Sequence, residues 1–392
     1  MRAAVLQQLS GRRGPFVSVS MDVSRNAETS ARETELRWQG HERELLRRQA
    51  PPAMVELAGP AVLATTGRAG AVGRLVVVDP DGIALDLVLP QPPAREEAVI
   101  GPAPQLLPAF RALRDRSSYL LAEVDRTGAD VVMMDAFGAT EQDLEVHGSH
   151  DVVHRVPGGQ TSQRRIQARA EDSWERNAAE IAGALDGLVS RHHPGVVFLA
   201  GDPVTVADLL TGAGRRLTRL AVVLRSGGRA DGASAAARDQ ELRASLAVRQ
   251  RAVRRDLLDR FGAAEGRQQD ALQGFDDVVD AVRRAQVAEL FLRDDPSSAA
   301  RTLWVGDEPL QLAANRGEVV SMGFGQPVQT RADAALLWAL VHSDAGITLL
   351  DPEDPDLADG VGALLRWSDR STPHDGVPSM PGHGVHSSSH HR

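Results

Sequence analysis

The chain has 392 residues, 42% of them hydrophobic, and a formal net charge of -9 from 44 basic and 53 acidic side chains. It has no cysteine, which excludes disulfides, thiolate metal sites and a cysteine nucleophile. Every strong base is arginine; without lysine there is no Walker-type phosphate loop, no Schiff-base chemistry and no ordinary kinase site.

The length allows two or three hydrophobic cores. No apolar run reaches membrane-spanning length, and the first residues lack the charged-then-apolar layout of a signal peptide. The expectation is a cytoplasmic α/β protein of several domains with no membrane partner. Bulk acidity argues against general nucleic-acid binding unless arginines cluster locally.

Residues 1–116 read as a small N-terminal α/β domain. Phe16-Val17-Ser18-Val19-Ser20-Met21 alternates at period two, as a strand does. Residues 33–49 are charge-laced around Leu36, Leu45 and Leu46 and predict a helix. Leu75-Val76-Val77-Val78-Asp79 predicts a buried strand, closed by the Pro80-Asp81-Gly82 turn and paired with a strand over 83–88. The proline-rich residues 89–104 read as connection. Gly67, Gly70 and Gly73 precede a strand, whereas a dinucleotide-binding loop follows one and opens a helix, so a flexible hairpin connection is expected.

Residues 117–225 read as a central domain with a mixed sheet. A hairpin is predicted from 119–124 through the turn Asp125-Arg126-Thr127-Gly128 to 129–135. A polar loop rich in His and Gly spans 147–160, and a long helix is predicted over 162–189. The strand Val196-Val197-Phe198-Leu199-Ala200 follows, then a short helix over 204–210 with Asp202 or Thr205 as N-cap, then a strand over 220–224. After a Gly/Ser/Arg linker at 226–233, residues 234–367 predict a C-terminal α/β sandwich: helices at 235–261, 271–285 and 332–341, strands at 287–292, 302–305 and 347–350, and a last ordered piece at 362–367. Ser, His, Pro and Gly dominate from 368 to 392, so that tail is expected to be disordered.

Minor candidates have plain readings. His192-His193 are adjacent and do not converge on one ion; they read as a helix-end loop. The acidic, proline-containing residues 351–359 read as a solvated loop, and His383, His386, His390 and His391 belong to the tail. Trp174 and Trp338 occupy apolar helix positions and are expected in cores. No metal site and no cofactor are expected.

Gly158-Gly159-Gln160 closes the polar loop ahead of the long helix, whose first turns carry Arg164, Arg165 and Arg169. Cations at a helix N-terminus oppose the macrodipole. Phosphates would compensate them; a solvated arginine face is the competing explanation.

The order of strand pair, loop ending in Gly-Gly-Gln, basic long helix and buried strand resembles the central domain of the archaeal and eukaryotic class-one peptide release factors. The Gly-rich Gly360-Val361-Gly362-Ala363-Leu364-Leu365-Arg366-Trp367 is similar to the strand that closes those factors. The likeness covers roughly residues 117–367 and is nearest to bacterial offshoots of this superfamily related to Pelota, to the Vms/Ankzf-type peptidyl-tRNA hydrolases and to Balon-type hibernation factors. It implies a three-domain fold with an exposed Gly-Gly-Gln loop and a ribosomal-protein-like C-terminal domain.

The resemblance implies that Gly158, Gly159 and Gln160 form a catalytic tip for peptidyl-tRNA ester hydrolysis. Glycines let the backbone enter a crowded RNA centre, and the glutamine supplies a backbone donor for the developing oxyanion. It also implies that Arg155, Arg164, Arg165 and Arg169 hold RNA phosphates, a task that suits the planar guanidinium. The implied partners are the ribosomal A site with large-subunit rRNA, peptidyl-tRNA and an elongation-factor GTPase, engaged by a monomer. The stop-codon loop of those factors contains lysine, which this chain lacks, so stop-codon reading is not expected. Ribosome rescue by hydrolysis, or hibernation by filling a vacant A site, remain as roles.

Overall fold

The computed structural model describes residues 4–25, 30–68, 70–114, 116–138, 140–147, 160–228, 235–267, 270–295, 301–369 and 372. The chain is mixed α/β and forms two compact units that divide between residues 256 and 257. The division falls inside a helix, downstream of the linker expected at 226–233, of which residues 229–233 lie outside the described residues.

In the first unit, a 3-10 turn at Ala4–Leu9 precedes β1 (Phe16–Asp22), α1 (Ser30–Arg47), α2 (Pro52–Leu63), β2 (Gly73–Asp79), β3 (Gly82–Leu89), β4 (Glu97–Gly101) and α3 (Leu107–Leu113). The strands form an antiparallel sheet in the order β3-β2-β1-β4. The period-two pattern of β1 decides its facing. Val17, Val19 and Met21 join a core with Trp38 and Leu45 of α1 and Met54, Val55 and Val62 of α2. The opposite face is buried too: Ser18 Oγ accepts a hydrogen bond from the Gln105 backbone N–H at 3.0 Å. Arg74 and Asp86 make a two-pronged cross-strand ion pair, both bonds 2.7 Å, and Arg74 also donates to the Ala64 carbonyl at 2.8 Å.

Two readings change here. The stretch 89–104 is not all connection: β4 pairs with β1 through Phe16↔Gly101 and Ser20↔Glu97. A five-residue edge strand among prolines has too few residues to show a period. The Gly67–Gly73 run joins α2 to β2 and is therefore no hairpin. α2 is apolar nearly all round and starts on a proline, and it has no amphipathic stripe to announce it.

The same unit continues with β5 (Tyr119–Val124), β6 (Gly128–Met134), β7 (Thr140–His147), α4 (Gln160–His192), β8 (Val196–Gly201), α5 (Pro203–Gly212), α6 (Arg215–Leu220), β9 (Ala221–Leu224) and the start of α7 (Ala235–Gly266). The sheet order is β7-β6-β5-β8-β9. The hairpin strands are antiparallel, while β8 runs parallel to both β5 and β9. Both faces are covered, so successive residues serve different cores. Leu120, Ala122 and Val124 of β5 with Val197 and Leu199 of β8 face α4, α5 and α6. Leu121 of β5 with Val196, Phe198 and Ala200 of β8 face Leu242 and Leu246 of α7.

The second unit holds the end of α7 and then β10 (Ala271–Gln273), α8 (Phe275–Arg283), β11 (Val287–Arg293), β12 (Thr302–Val305), β13 (Leu312–Ala313), α9 (Arg316–Ser321), β14 (Val328–Arg331), α10 (Ala332–His342), β15 (Gly346–Leu350) and β16 (Val361–Leu365). One sheet runs β10-β16-β11-β15, with β15 parallel to β11; a smaller one runs β13-β12-β14. The single helix expected over 271–285 is a strand and a helix. Gly274 sits between them at φ 96°, a left-handed value that breaks a helix, and Ala271–Gln273 pair with β16 instead. Trp338 is fully buried on α10, as expected.

Candidate functional site

The long helix is the element that would carry the Gly-Gly-Gln tip, and its placement is settled by its C-terminal half. Ala178, Ile181, Ala182, Leu185, Leu188 and Val189 recur at three- and four-residue steps and bury against β5, β6 and β8. Two polar contacts fix the helix further. Buried Asn177 donates through Nδ2 to the Arg126 carbonyl at 3.3 Å, which ties the helix to the β5–β6 turn. That turn is itself locked by Asp125, whose Oδ1 accepts from the backbone N–H groups of Thr127 at 2.7 Å and Gly128 at 2.9 Å. Farther along, Asp186 accepts from the Gly214 N–H at 2.7 Å and so holds the α5–α6 connection against α4.

From this anchor the helix runs back toward its N-terminus at about 1.5 Å per residue, so Gln160 lies about 27 Å along the axis from Ala178. Gln160, Arg164, Arg165 and Arg169 all lie on α4, with Arg165 and Arg169 one helical turn apart. Their side chains, and Arg155, Gly158 and Gly159 altogether, fall outside the described residues. So does the side chain of Trp174. The helix starts two residues before the expected 162 and runs three past 189, ending at His192. Sequence reasoning passed over Asn177 and Asp186. Asparagine is a poor residue for a helix interior, and that was the available signal.

The exit from β9 is bound to the same sheet by carboxylates. Glu123 on β5 forms an ion pair with Arg238 of α7 and accepts the Gly228 N–H at 3.0 Å. Burial alone would lower the Arg238 pKa, but Asp239 and Glu123 outweigh it and hold the guanidinium above its ordinary value. Glu241 accepts the N–H groups of Arg225 at 3.0 Å and Ser226 at 2.9 Å, and these bonds keep its carboxyl below the ordinary glutamate value. At the other end of the hairpin, Arg68 donates to the Phe137 carbonyl at 2.8 Å. Partial burial and the neighbouring Arg68 lower the pKa of Arg116.

Of the minor candidates, His383, His386, His390 and His391 lie outside the described residues. His192 ends α4, and His193, at φ 52°, meets Arg216 through Nδ1 at 2.8 Å. In the acidic stretch 351–359, Asp356 pairs with Arg293 at 2.8 Å and Asp359 with Arg301 at 2.5 Å. Among the described residues, no group of three or more His, Asp or Glu is placed to hold a metal ion, and no helix is long and apolar enough to cross a membrane. Asp202 caps α5, accepting from the Val204 and Thr205 N–H groups at 3.2 Å.

Residues 118–267, which include the central sheet, α4 and α7, match bacterial archaeo-eukaryotic release factor family 2. Over 376 residues the chain is 27% identical to the uncharacterized protein Rv2629 of Mycobacterium tuberculosis strain ATCC 25618 / H37Rv, and equally to the uncharacterized protein MT2704 of strain CDC 1551 / Oshkosh. Each alignment covers 94% of this chain and 97% of the relative. Among solved structures, Archaeoglobus fulgidus Pelota is 15% identical, with coverage of 75% of this chain and 80% of that one at a TM-score of 0.31. Saccharomyces cerevisiae Dom34, a translation termination-like factor, is 11% identical, with coverage of 77% and 81% at 0.37. The family match falls on the segment that holds the candidate site: residues 118–267 are similar to a bacterial archaeo-eukaryotic release factor family.

Proposed function

We propose that this protein is a ribosome-binding translation factor that enters the A site and hydrolyses the peptidyl-tRNA ester during ribosome rescue. One observation carries the reading: Gly158-Gly159-Gln160 stands at the start of α4, inside a segment that matches a release-factor family. The anchored half of α4 makes the helix a rigid mount, which suits a tip that must be positioned against an ester carbonyl. In this reading the glycines give close backbone approach, and Gln160 provides a donor for the oxyanion and orients water. Arg155, Arg164, Arg165 and Arg169 hold RNA phosphates, and an elongation-factor GTPase delivers the protein. The layout is three-part: residues 1–116, a central domain over 117–225 and a ribosomal-protein-like domain over 234–367.

Ribosomes carrying labelled peptidyl-tRNA provide the test. The protein should release the peptide, and Gln160→Ala should abolish release while leaving co-sedimentation with ribosomes intact. Tight binding without release by the unaltered chain sinks the hydrolytic reading in favour of a hibernation factor that fills a vacant A site. Failure to co-sediment with ribosomes or large subunits sinks both.

A further inference from the structure

We infer that an exposed arginine stripe on α7, formed by Arg243, Arg251 and Arg255, is a second surface for RNA phosphates, separate from the arginines of α4. The inference builds on the ribosomal reading and adds a contact face to it. Between Glu241 and Asp256, α7 carries Arg243, Arg249, Arg251, Arg254 and Arg255 and no acidic residue, in a chain whose acids outnumber its bases. At about 100° per residue, Arg243, Arg251 and Arg255 fall within an arc of roughly 120° and span about 18 Å along the axis. Arg243, Arg251 and Arg255 are exposed; Arg254 lies within the same arc but is half-buried, Arg249 lies off it, and Leu242 and Leu246 pack on the central sheet.

Pairing distinguishes this stripe from many arginines of the chain, though Arg43 likewise turns Nε back onto a carbonyl, that of Gln39. Elsewhere in the chain many arginines answer to carboxylates: Arg12 to Asp79, Arg37 to Glu96, Arg74 to Asp86, Arg238 to Glu123 and Arg293 to Asp356. Among the described residues, Arg243, Arg251 and Arg255 have no carboxylate partner. Arg243 and Arg251 only turn Nε back onto the Asp239 and Ala247 carbonyls, at 3.0 and 3.2 Å. Arg251 and Arg255, four residues apart on one face, repel each other. A row of guanidinium forks on a rigid helix fits a row of phosphates, with each contact releasing counterions. A membrane surface fits less well. The exposed Val248 and Val253 lie about 140° apart on the wheel, so no continuous apolar strip accompanies the charge.

The test uses the full chain and a short mixed-sequence RNA duplex, with binding followed by fluorescence anisotropy across a salt series. The triple variant R243Q/R251Q/R255Q should bind about tenfold or more weakly at moderate salt. Its plot of log affinity against log salt should be shallower by about two to three, the contribution of three phosphate contacts. R249Q, on the same helix but off the stripe, should match the parent. The charge-keeping R243K/R251K/R255K should retain most binding, which separates lost charge from lost folding. An unchanged slope in the glutamine triple overturns the inference. So does stripe-dependent binding to anionic lipid vesicles or to an acidic peptide with none to the duplex. Duplex binding that depends on the stripe, in a protein that does not co-sediment with ribosomes, would remove the ribosomal reading and leave the surface standing. Parental co-sedimentation and peptide release, with duplex binding indifferent to the stripe, would do the reverse.

Discussion

Gly183 and Gly201 flank the end of α4 and carry opposite expectations. A Cβ on Gly201, the last residue of β8, would land on the Val124 carbonyl oxygen of the neighbouring strand and within 2.9 Å of the Val124 side chain. Backbone cannot yield there, so Gly201→Ala should cost about 1–3 kcal/mol or more through overpacking. Gly183 lies inside α4 at ordinary helical φ with nothing within 4 Å of a Cβ, so Gly183→Ala should stabilise by about 0.5–1 kcal/mol through helix propensity. Urea midpoints of the two variants check both signs; equal shifts in one direction would contradict the geometry. Individual residues were legible in the sequence where their chemistry is local. Asp202 as a cap needs only its neighbours at 204 and 205, whereas the need for glycine at 201 comes from a strand more than seventy positions away.

Among elements, those with a strong local pattern are where the sequence puts them: β1, the β5–β6 hairpin, α4 and β8 stand within a few residues of expectation. The elements that escaped notice owe their form to partners. β4 is held by pairing with β1, β10 by pairing with β16, and α2, whose exposed face also carries Ala53, Leu57 and Pro60, is apolar on both its buried and its exposed side, so nothing in their own periodicity distinguishes them. The candidate tip was legible as a motif, while its mount was only half so, because the contacts of Asn177 and Asp186 that fix α4 are long-range. Connections are likewise secured by side chains, and one of them should respond to pH. The N–H groups of Arg225 and Ser226 hold the Glu241 carboxyl below its ordinary value of 4.5. A depressed folded-state pKa gives stability that is present above 4.5 and lost as pH falls through the lower, folded value. Amide exchange at Arg225 and Ser226 should therefore speed up, relative to intrinsic rates, on acidification below that range. In Glu241→Gln the protection should already be weaker at neutral pH and should lose this acid step. An acid step that survives in the variant would place its origin elsewhere.

At the scale of the molecule, the chain resolves into two compact units, each with its own buried cluster. In the first, Leu199 is fully buried beneath α4 and α5 with Leu120, Ile181 and Leu185. In the second, Phe291 is fully buried beside Phe261, the ring centroids 4.9 Å apart, with Leu350 and Leu364 around it. A core substitution acts on the cooperative unit that contains it, and separate cores need not melt together. Leu199→Ala should destabilise the first unit by about 2–5 kcal/mol, and Phe291→Ala the second by about 3–5 kcal/mol. Calorimetry should then resolve two transitions, with each substitution lowering a different one. Trp304, Trp338 and Trp367 belong to the second unit and Trp38 and Trp174 to the first, so variants keeping a single tryptophan of the five can assign each transition. If either substitution drags a single shared transition downward at every probe, the two units fold as one, and the division inside α7 has no energetic meaning.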